Sequence, residues 1–384
     1  MTRAKSMSSL TGSRRHGFLR RNAGKLAASA AITVGVIYTV HKGGLKLIPE
    51  RGDFGAVRWW AVPLYLALVL AMTWFRSVRW RFLLRSIIEV PKRRLFAVSC
   101  AGLAAILLLP FRIGEFARPY LLRTRPDERR AGAPVLTMTA ATGSVVAERV
   151  IDGVILSAVL AVVLIVVPTV HPLPDQVVDL PISVASVRAS GFVMLGVFTV
   201  GLATIAVFYF ARTWAHRATL AVIGRLSPRL AERLAGVAEK LADGLHVFGR
   251  GRDALGFLAE SAVYWSLNAA GMWVLAIGCG VVHADGSAIT FPEACGLMGM
   301  LGCAILIPGP PGLLGVFQAG IYAGMTFYFP AEIVTGPGAA YVFLLYASQL
   351  VFHLVTGAWG LWYEGGTRRI RGVLAEPLAV DAGS

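Results

Sequence analysis

Six stretches of the chain, 23–41, 57–75, 149–167, 191–211, 254–280 and 338–362, are apolar enough to predict membrane-crossing helices. Each reaches roughly the 20 residues that a helix needs to cross a hydrocarbon core about 30 Å thick. Two further apolar runs are interrupted. The run 95–109 is short and stops at Pro110-Phe111-Arg112-Ile113-Gly114-Glu115, and the run 291–307 meets Pro308-Gly309-Pro310-Pro311-Gly312 before apolar residues resume over 313–329. Proline and glycine at this density end a helix, and non-helical backbone at membrane depth persists only where protein or a watery cavity covers it. Both runs therefore predict re-entrant hairpins, 95–121 and 291–329. The short segment 134–146 reads as a half-helix that leads into the span at 149.

Composition agrees with a membrane protein and removes the alternatives. Of 384 residues 56% are hydrophobic and only 15% are charged, against about 25% charged in a soluble domain. The net charge of +16, from 37 Lys and Arg against 21 Asp and Glu, is thus not the mark of a soluble nucleic-acid binder, and the apolar content excludes disorder. Positive charge collects on the cytoplasmic side of spans. A cytoplasmic N-terminus places 1–25, 76–94, 112–130, 212–253 and the C-terminal tail inside. Lys42, Lys46, Arg51, Arg58 and Arg188 are left in the outer loops, and Arg149 in the membrane. Reading 95–109 as a full span would put the arginines of 112–130 outside and invert every later loop. The expected product is an all-α polytopic protein of the cytoplasmic (inner) membrane, with about six full spans, two oppositely oriented re-entrant hairpins and both termini cytoplasmic. Its parts are a basic tail (1–25), a first membrane half (26–211), an amphipathic linker (212–253), a second membrane half (254–365) and a C-terminal tail (366–384).

Arg14-Arg15 before Phe18-Leu19 resembles a secretory or twin-arginine signal, but the spans that follow make an uncleaved anchor the expectation. In the linker, Leu230, Leu234, Val237, Leu241 and Leu245 share one face of a helix that lies at the interface or packs beneath the bundle. Cys100, Cys279, Cys295 and Cys303 sit in apolar runs without a C-x-x-C pair and read as packing residues. No metal and no cofactor is expected.

Charges within membrane segments are costly and mark candidate sites. Those expected here are Glu148, Arg149, Asp152, Glu260 and Glu293, with Arg112, Glu115 and Arg118 at the first hairpin tip. A guanidinium at a broken helix, beside Gly114, suits a phosphate-bearing headgroup; a structural ion pair between Glu115 and an arginine is the alternative. Glu148 and Asp152 share a face at i, i+4, and Arg149 reaches Asp152 at i+3. Glu260, Tyr264 and Asn268 form a polar stripe on one span, as do Gln349 and His353 on the last, where the histidine reads as a hydrogen-bonded packing residue or a proton relay. The pattern Pro110-x-x-x-Gly114-x-Phe116 recurs as Pro311-x-x-x-Gly315-x-Phe317, one copy per hairpin. Interrupted helices in an inverted repeat are a transporter design.

The run 109–118, the Glu148-Arg149-x-x-Asp152 cluster and the run 311–318 together resemble, in order, the landmarks of the lysylphosphatidylglycerol synthase transmembrane-domain family, also called flippase-like domain proteins. The resemblance covers roughly 26–365. It implies a translocase that moves an anionic or aminoacylated lipid, or a lipid-linked molecule, across the cytoplasmic membrane. Its implied substrate-binding residues are Arg112, Gly114, Glu115, Arg118, Glu148, Arg149, Asp152, Pro311, Gly312, Gly315 and Gln318. Family members often carry a carboxylate where this chain has Gln318, so proton or cation coupling there is not implied. Too few residues follow the last span for the family's soluble aminoacyl-transfer domain, and no catalytic residue is named; synthase activity is not expected. The expected partners are membrane lipids with anionic headgroups. A membrane-embedded transferase using the Glu148 and Asp152 pair, or a non-catalytic partner of a lipid-synthesising enzyme, are the competing readings.

Overall fold

The computed structural model describes residues 45–124, 134–223 and 251–365, apart from 171, 173, 178–182 and 307–310, with isolated positions in 31–38 and 227–236. The predicted span 23–41, both tails and the linker's amphipathic stretch lie outside or almost wholly outside the described residues. Among the described residues there is no strand, only two isolated β-bridges, Gln176 to Ser183 and Val282 to Ala288. The helices are α1 (Ala61–Val78), α2 (Trp80–Leu84), α3 (Lys92–Leu108), α4 (Ala117–Leu122), α5 (Met138–Val166), α6 (Val184–Phe210) and α7 (Arg212–Ile223). The second half adds α8 (Gly251–Gly278), α9 (Phe291–Ala304), α10 (Val316–Met325), α11 (Ala331–Thr335) and α12 (Pro337–Tyr363).

Four segments, Ala61–Leu84, Met138–Val166, Val184–Thr204 and Pro337–Tyr363, are long and apolar enough to cross a membrane, and they coincide with four of the predicted windows. The chain is an all-α polytopic membrane protein. Helix α8 fills the window 254–280 and is 28 residues long, but its polar stripe keeps it less apolar than those four. The half-helix expected at 134–146 is not a separate element. Thr137 caps α5 by accepting from the Ala140 N–H at 3.1 Å, and the helix then runs unbroken for 29 residues, or about 44 Å at 1.5 Å per residue. No proline interrupts 138–166, and the helix runs on through its Gly143-Ser144 pair.

Small residues let the helices approach. A Cβ on Gly278 would stand 2.1 Å from the Ala61 Cβ where α8 meets α1, and one on Gly360 would stand 2.2 Å from the Ala97 carbonyl oxygen where α12 meets α3. Without a hydrophobic drive between helices in lipid, such close backbone packing is what holds them together. One end of the bundle is ringed by ion pairs between helix ends: Arg81 with Glu260 (3.0 Å), Arg85 with Asp253 (2.7 Å) and Arg94 with Glu364 (3.1 Å). At the opposite end, Glu293 accepts from the Thr290 N–H at 2.8 Å and lies 3.1 Å from His283 Nε2. This carboxylate, expected as an intramembrane charge, caps the start of α9.

The two interrupted runs are helix–break–helix elements. Helix α3 stops at Leu109, a 3-10 turn spans Pro110–Phe116, and α4 follows, with turn and α4 packed back on α3. In the second half, α9 and α10 pack on one another across a break that includes a 3-10 turn at Pro311–Leu313. The two 3-10 turns touch each other, and the second also packs on α3. The repeated glycines do different work. Gly315 has φ +85°, a conformation that only glycine adopts cheaply. Gly114 is needed for space, since a Cβ there would lie 2.2 Å from the Ala105 carbonyl carbon.

Candidate functional site

The site is built on one face of α5. Ser144, Glu148 and Asp152 follow at intervals of four, and a helix brings such residues to the same side. All three are buried. Facing them is Arg79, in the link between α1 and α2, with a fully buried side chain. Its Nη1 donates to Asp152 Oδ1 (2.7 Å) and Ser261 Oγ (2.8 Å), and its Nη2 to Asp152 Oδ2 (2.6 Å) and Glu148 Oε1 (3.1 Å). Its guanidinium also lies 4.8 Å from the centre of the Tyr264 ring and 5.3 Å from that of Phe257. One arginine thus joins α5 and α8 through four hydrogen bonds, using the forked, planar donor set that lysine lacks.

Arg118, on α4, reaches the same carboxylate from the first broken hairpin. Its Nη1 donates to both Glu148 oxygens at 3.2 and 3.3 Å, and its guanidinium stacks over Trp80 at 4.3 Å. The Trp80 Nε1 donates to Ser144 Oγ at 3.0 Å. Room for the Arg118 stem comes from Gly102, where a Cβ would lie 2.3 Å from Arg118 Cγ. The Nε and Nη2 of Arg118 have no acceptor among the described residues, a cost a buried donor bears only under constraint.

Arg149 lies at the edge of this face of α5. It lies 3.5 Å from Glu115, 3.7 Å from Asp152 and 3.9 Å from Glu148 and keeps about a quarter of its side chain exposed. These are loose contacts, longer than charge-assisted hydrogen bonds. Arg76, three residues before Arg79, has no carboxylate within 4.0 Å among the described residues, and its guanidinium lies 5.9 Å from the centre of the Tyr264 ring. Arg76 and Arg149 both line a central cavity of about 180 Å³, together with Tyr264, Asn268, Gln349 and His353. The walls come from α1, α3, α5, α8, α9, α10 and α12 and from Gly312 and Leu313 of the second broken element. Among the described side chains of this cluster, three carboxylates (Glu115, Glu148, Asp152) face four guanidiniums (Arg76, Arg79, Arg118, Arg149). The surplus positive charge lies where two of those guanidiniums meet the cavity, a setting that favours an anion.

The sequence-predicted residues divide into three groups. Glu115, Arg118, Glu148, Arg149 and Asp152 are brought into one network. Gly114, Gly312, Gly315 and Gln318 shape the backbone: Gln318 accepts from the Gly315 N–H at 2.6 Å and is buried, and the Gly312 carbonyl accepts from the Tyr346 hydroxyl at 2.9 Å. Arg112 and Pro311 have their backbone in the 3-10 turns, but their side chains lie outside the described ones. The sequence reading missed Arg76, Arg79 and Trp80, because counting positive charge placed 76–94 in a cytoplasmic loop. The available signal was the apolar run that resumes after Arg79, in Trp80, Phe82, Leu83 and Leu84. Among the described residues, no three His, Cys, Asp or Glu side chains gather closely enough to hold a metal ion.

No curated protein and no solved structure matches the chain. The model of the family described as the lysylphosphatidylglycerol synthase TM region matches residues 25–357. That match spans the charged face of α5, both broken helices and the cavity between them, and the chain belongs to the lysylphosphatidylglycerol synthase TM region family.

Proposed function

We propose that the protein is a lipid translocase of the cytoplasmic membrane, moving a lipid with an anionic or aminoacylated headgroup between leaflets. The observation that carries this reading is the central cavity, which meets both broken elements and is lined by Arg76, with no carboxylate within 4.0 Å among the described residues, and by Arg149, whose contacts with Glu115, Asp152 and Glu148 are loose. Both headgroup classes bear a phosphate, the group a guanidinium recognises best. In this reading the broken helices are re-entrant hairpins related by inversion, entering from opposite faces and meeting at the cavity, with both termini cytoplasmic. The buried Arg79, Glu148, Asp152 and Arg118 network fixes the frame, while Arg76 and Arg149 hold the headgroup on its way.

Purified protein in liposomes, supplied with headgroup-labelled phosphatidylglycerol and its lysyl ester, tests the reading. Headgroup movement above that of protein-free vesicles, reduced at least tenfold by Arg76→Gln with Arg149→Gln, is the expected result. Movement no faster than in empty vesicles, or indifferent to the double substitution, overturns it.

A further inference from the structure

A second, more apolar groove of about 110 Å³ opens between α5, α6 and α9. Its inner end holds Arg149, Asp152 and Trp265. Outward it becomes apolar, between Leu156 on α5, Met194 and Phe198 on α6, and Cys303 and Leu306 at the end of α9. Arg149, Leu156, Trp265, Gly302 and Ile305 line both this groove and the central cavity. The two spaces are therefore adjacent, divided by a single layer of shared side chains, and together they run from cationic to apolar.

Its outer wall is the least buried of the four segments long and apolar enough to cross a membrane among the described residues. Only 11% of the apolar window Val184–Thr204 is buried, and Val193, Val197 and Val200 are exposed, as lipid-facing residues of a span are. The inner wall is kept flat by glycines. A Cβ on Gly302 would stand 2.0 Å from Leu156 Cδ2, and one on Gly153 would stand 2.2 Å from the Phe198 ring. Phe198 thus rests directly on the α5 backbone face, and its ring sets how far α6 stands off.

We propose that this groove is the side portal of the translocase, in which an acyl chain of the transported lipid lies while its headgroup occupies the central cavity. The assignment rests on the translocase reading for the identity of the headgroup. The occupant follows from the adjacency of the two spaces, since a molecule that reaches both by parting their shared side chains has one charged end and one hydrocarbon end. Met194 and Phe198 are then specificity-determining residues for the chain.

Photo-crosslinking with the protein in liposomes tests this. One phosphatidylglycerol carries a diazirine on its acyl chain, a second carries it on the headgroup, and glycerol phosphate with a diazirine serves as a chain-free probe. The expected result is that the chain-borne diazirine labels 194–198 and 302–306, whereas the chain-free probe does not. Met194→Trp, which fills the groove from the lightly packed helix, lowers that labelling and translocation at least fivefold. Phe198→Ala, which widens it, raises the labelling and shows that the groove responds to more than misfolding. Chain labelling spread evenly over lipid-facing helices, or translocation that ignores Met194→Trp while Arg76→Gln abolishes it, overturns the portal and leaves the translocase standing. Labelling confined to the groove with no translocation at all overturns the translocase and leaves the groove as a lipid site.

Discussion

Arg79 and Arg76 lie three residues apart and have opposite duties. Arg79 neutralises buried carboxylates, and removing one partner of such a cluster costs about 3–5 kcal/mol because the other charges stay buried without compensation. Arg79→Ala is expected to lower the thermal unfolding temperature in detergent sharply. Arg79→Lys is expected to be nearly as damaging, since one ammonium cannot satisfy Asp152, Glu148 and Ser261 together. Arg76→Gln breaks no ion pair among the described residues and is expected to cost less stability than either Arg79 variant while impairing lipid movement. Circular dichroism melts of the three variants, compared side by side, check the distinction. Half of this network was legible in the sequence: Glu148, Arg149 and Asp152 declare themselves by their spacing within an apolar helix. Of the arginines that oppose them, Arg118 was read from its place at the first broken helix, but Arg76 and Arg79 were not, because a charge at a helix end lowers local hydropathy in the same way whether it faces water or a buried carboxylate. Only three-dimensional packing separates these cases.

The broken elements were legible because proline and glycine act locally. Pro110 and Pro311 both open 3-10 turns, and Phe116 and Phe317 both stand at the start of the helix that follows. What the shared motif could not disclose is that its glycines are conserved in type between the copies for different reasons, packing in one and dihedral angle in the other. Gly315→Ala places a side chain at φ +85° and is expected to destabilise by about 1–2 kcal/mol. Gly114→Ala drives a Cβ into the backbone of α3, which cannot step aside as a side chain can, and is expected to be the more damaging of the two. Melting temperatures of the two alanine variants give the order directly, and equal losses would remove the distinction. The continuity of α5 escaped the sequence reading because the polar residues before Ser144 resembled a boundary, whereas nothing there forbids helix.

At the scale of the whole molecule, the +16 charge bears on orientation. In the proposed orientation the bundle end that holds the α1–α3 link and the ion pairs of Arg81, Arg85 and Arg94 with Glu260, Asp253 and Glu364 faces the cytoplasm, as the positive-inside rule expects of the basic segment 76–94. The re-entrant reading adds a sharper demand. Chain entering the first broken element at Lys92 must return to the same side before α5, so Lys92 and Thr139 share a face of the membrane, and Asp285 and Glu332, flanking the second, share the other. All four are exposed. Single cysteines at these positions, introduced after replacing Cys100, Cys279, Cys295 and Cys303, can be labelled in intact cells with a membrane-impermeant maleimide. Labelling of Asp285→Cys and Glu332→Cys but not Lys92→Cys and Thr139→Cys is the expected pattern. A full span at 95–109 would separate Lys92 from Thr139 instead. Positions 92 and 139 on opposite faces would therefore remove the first hairpin, and with it the inverted pair on which a cavity reached alternately from both sides depends.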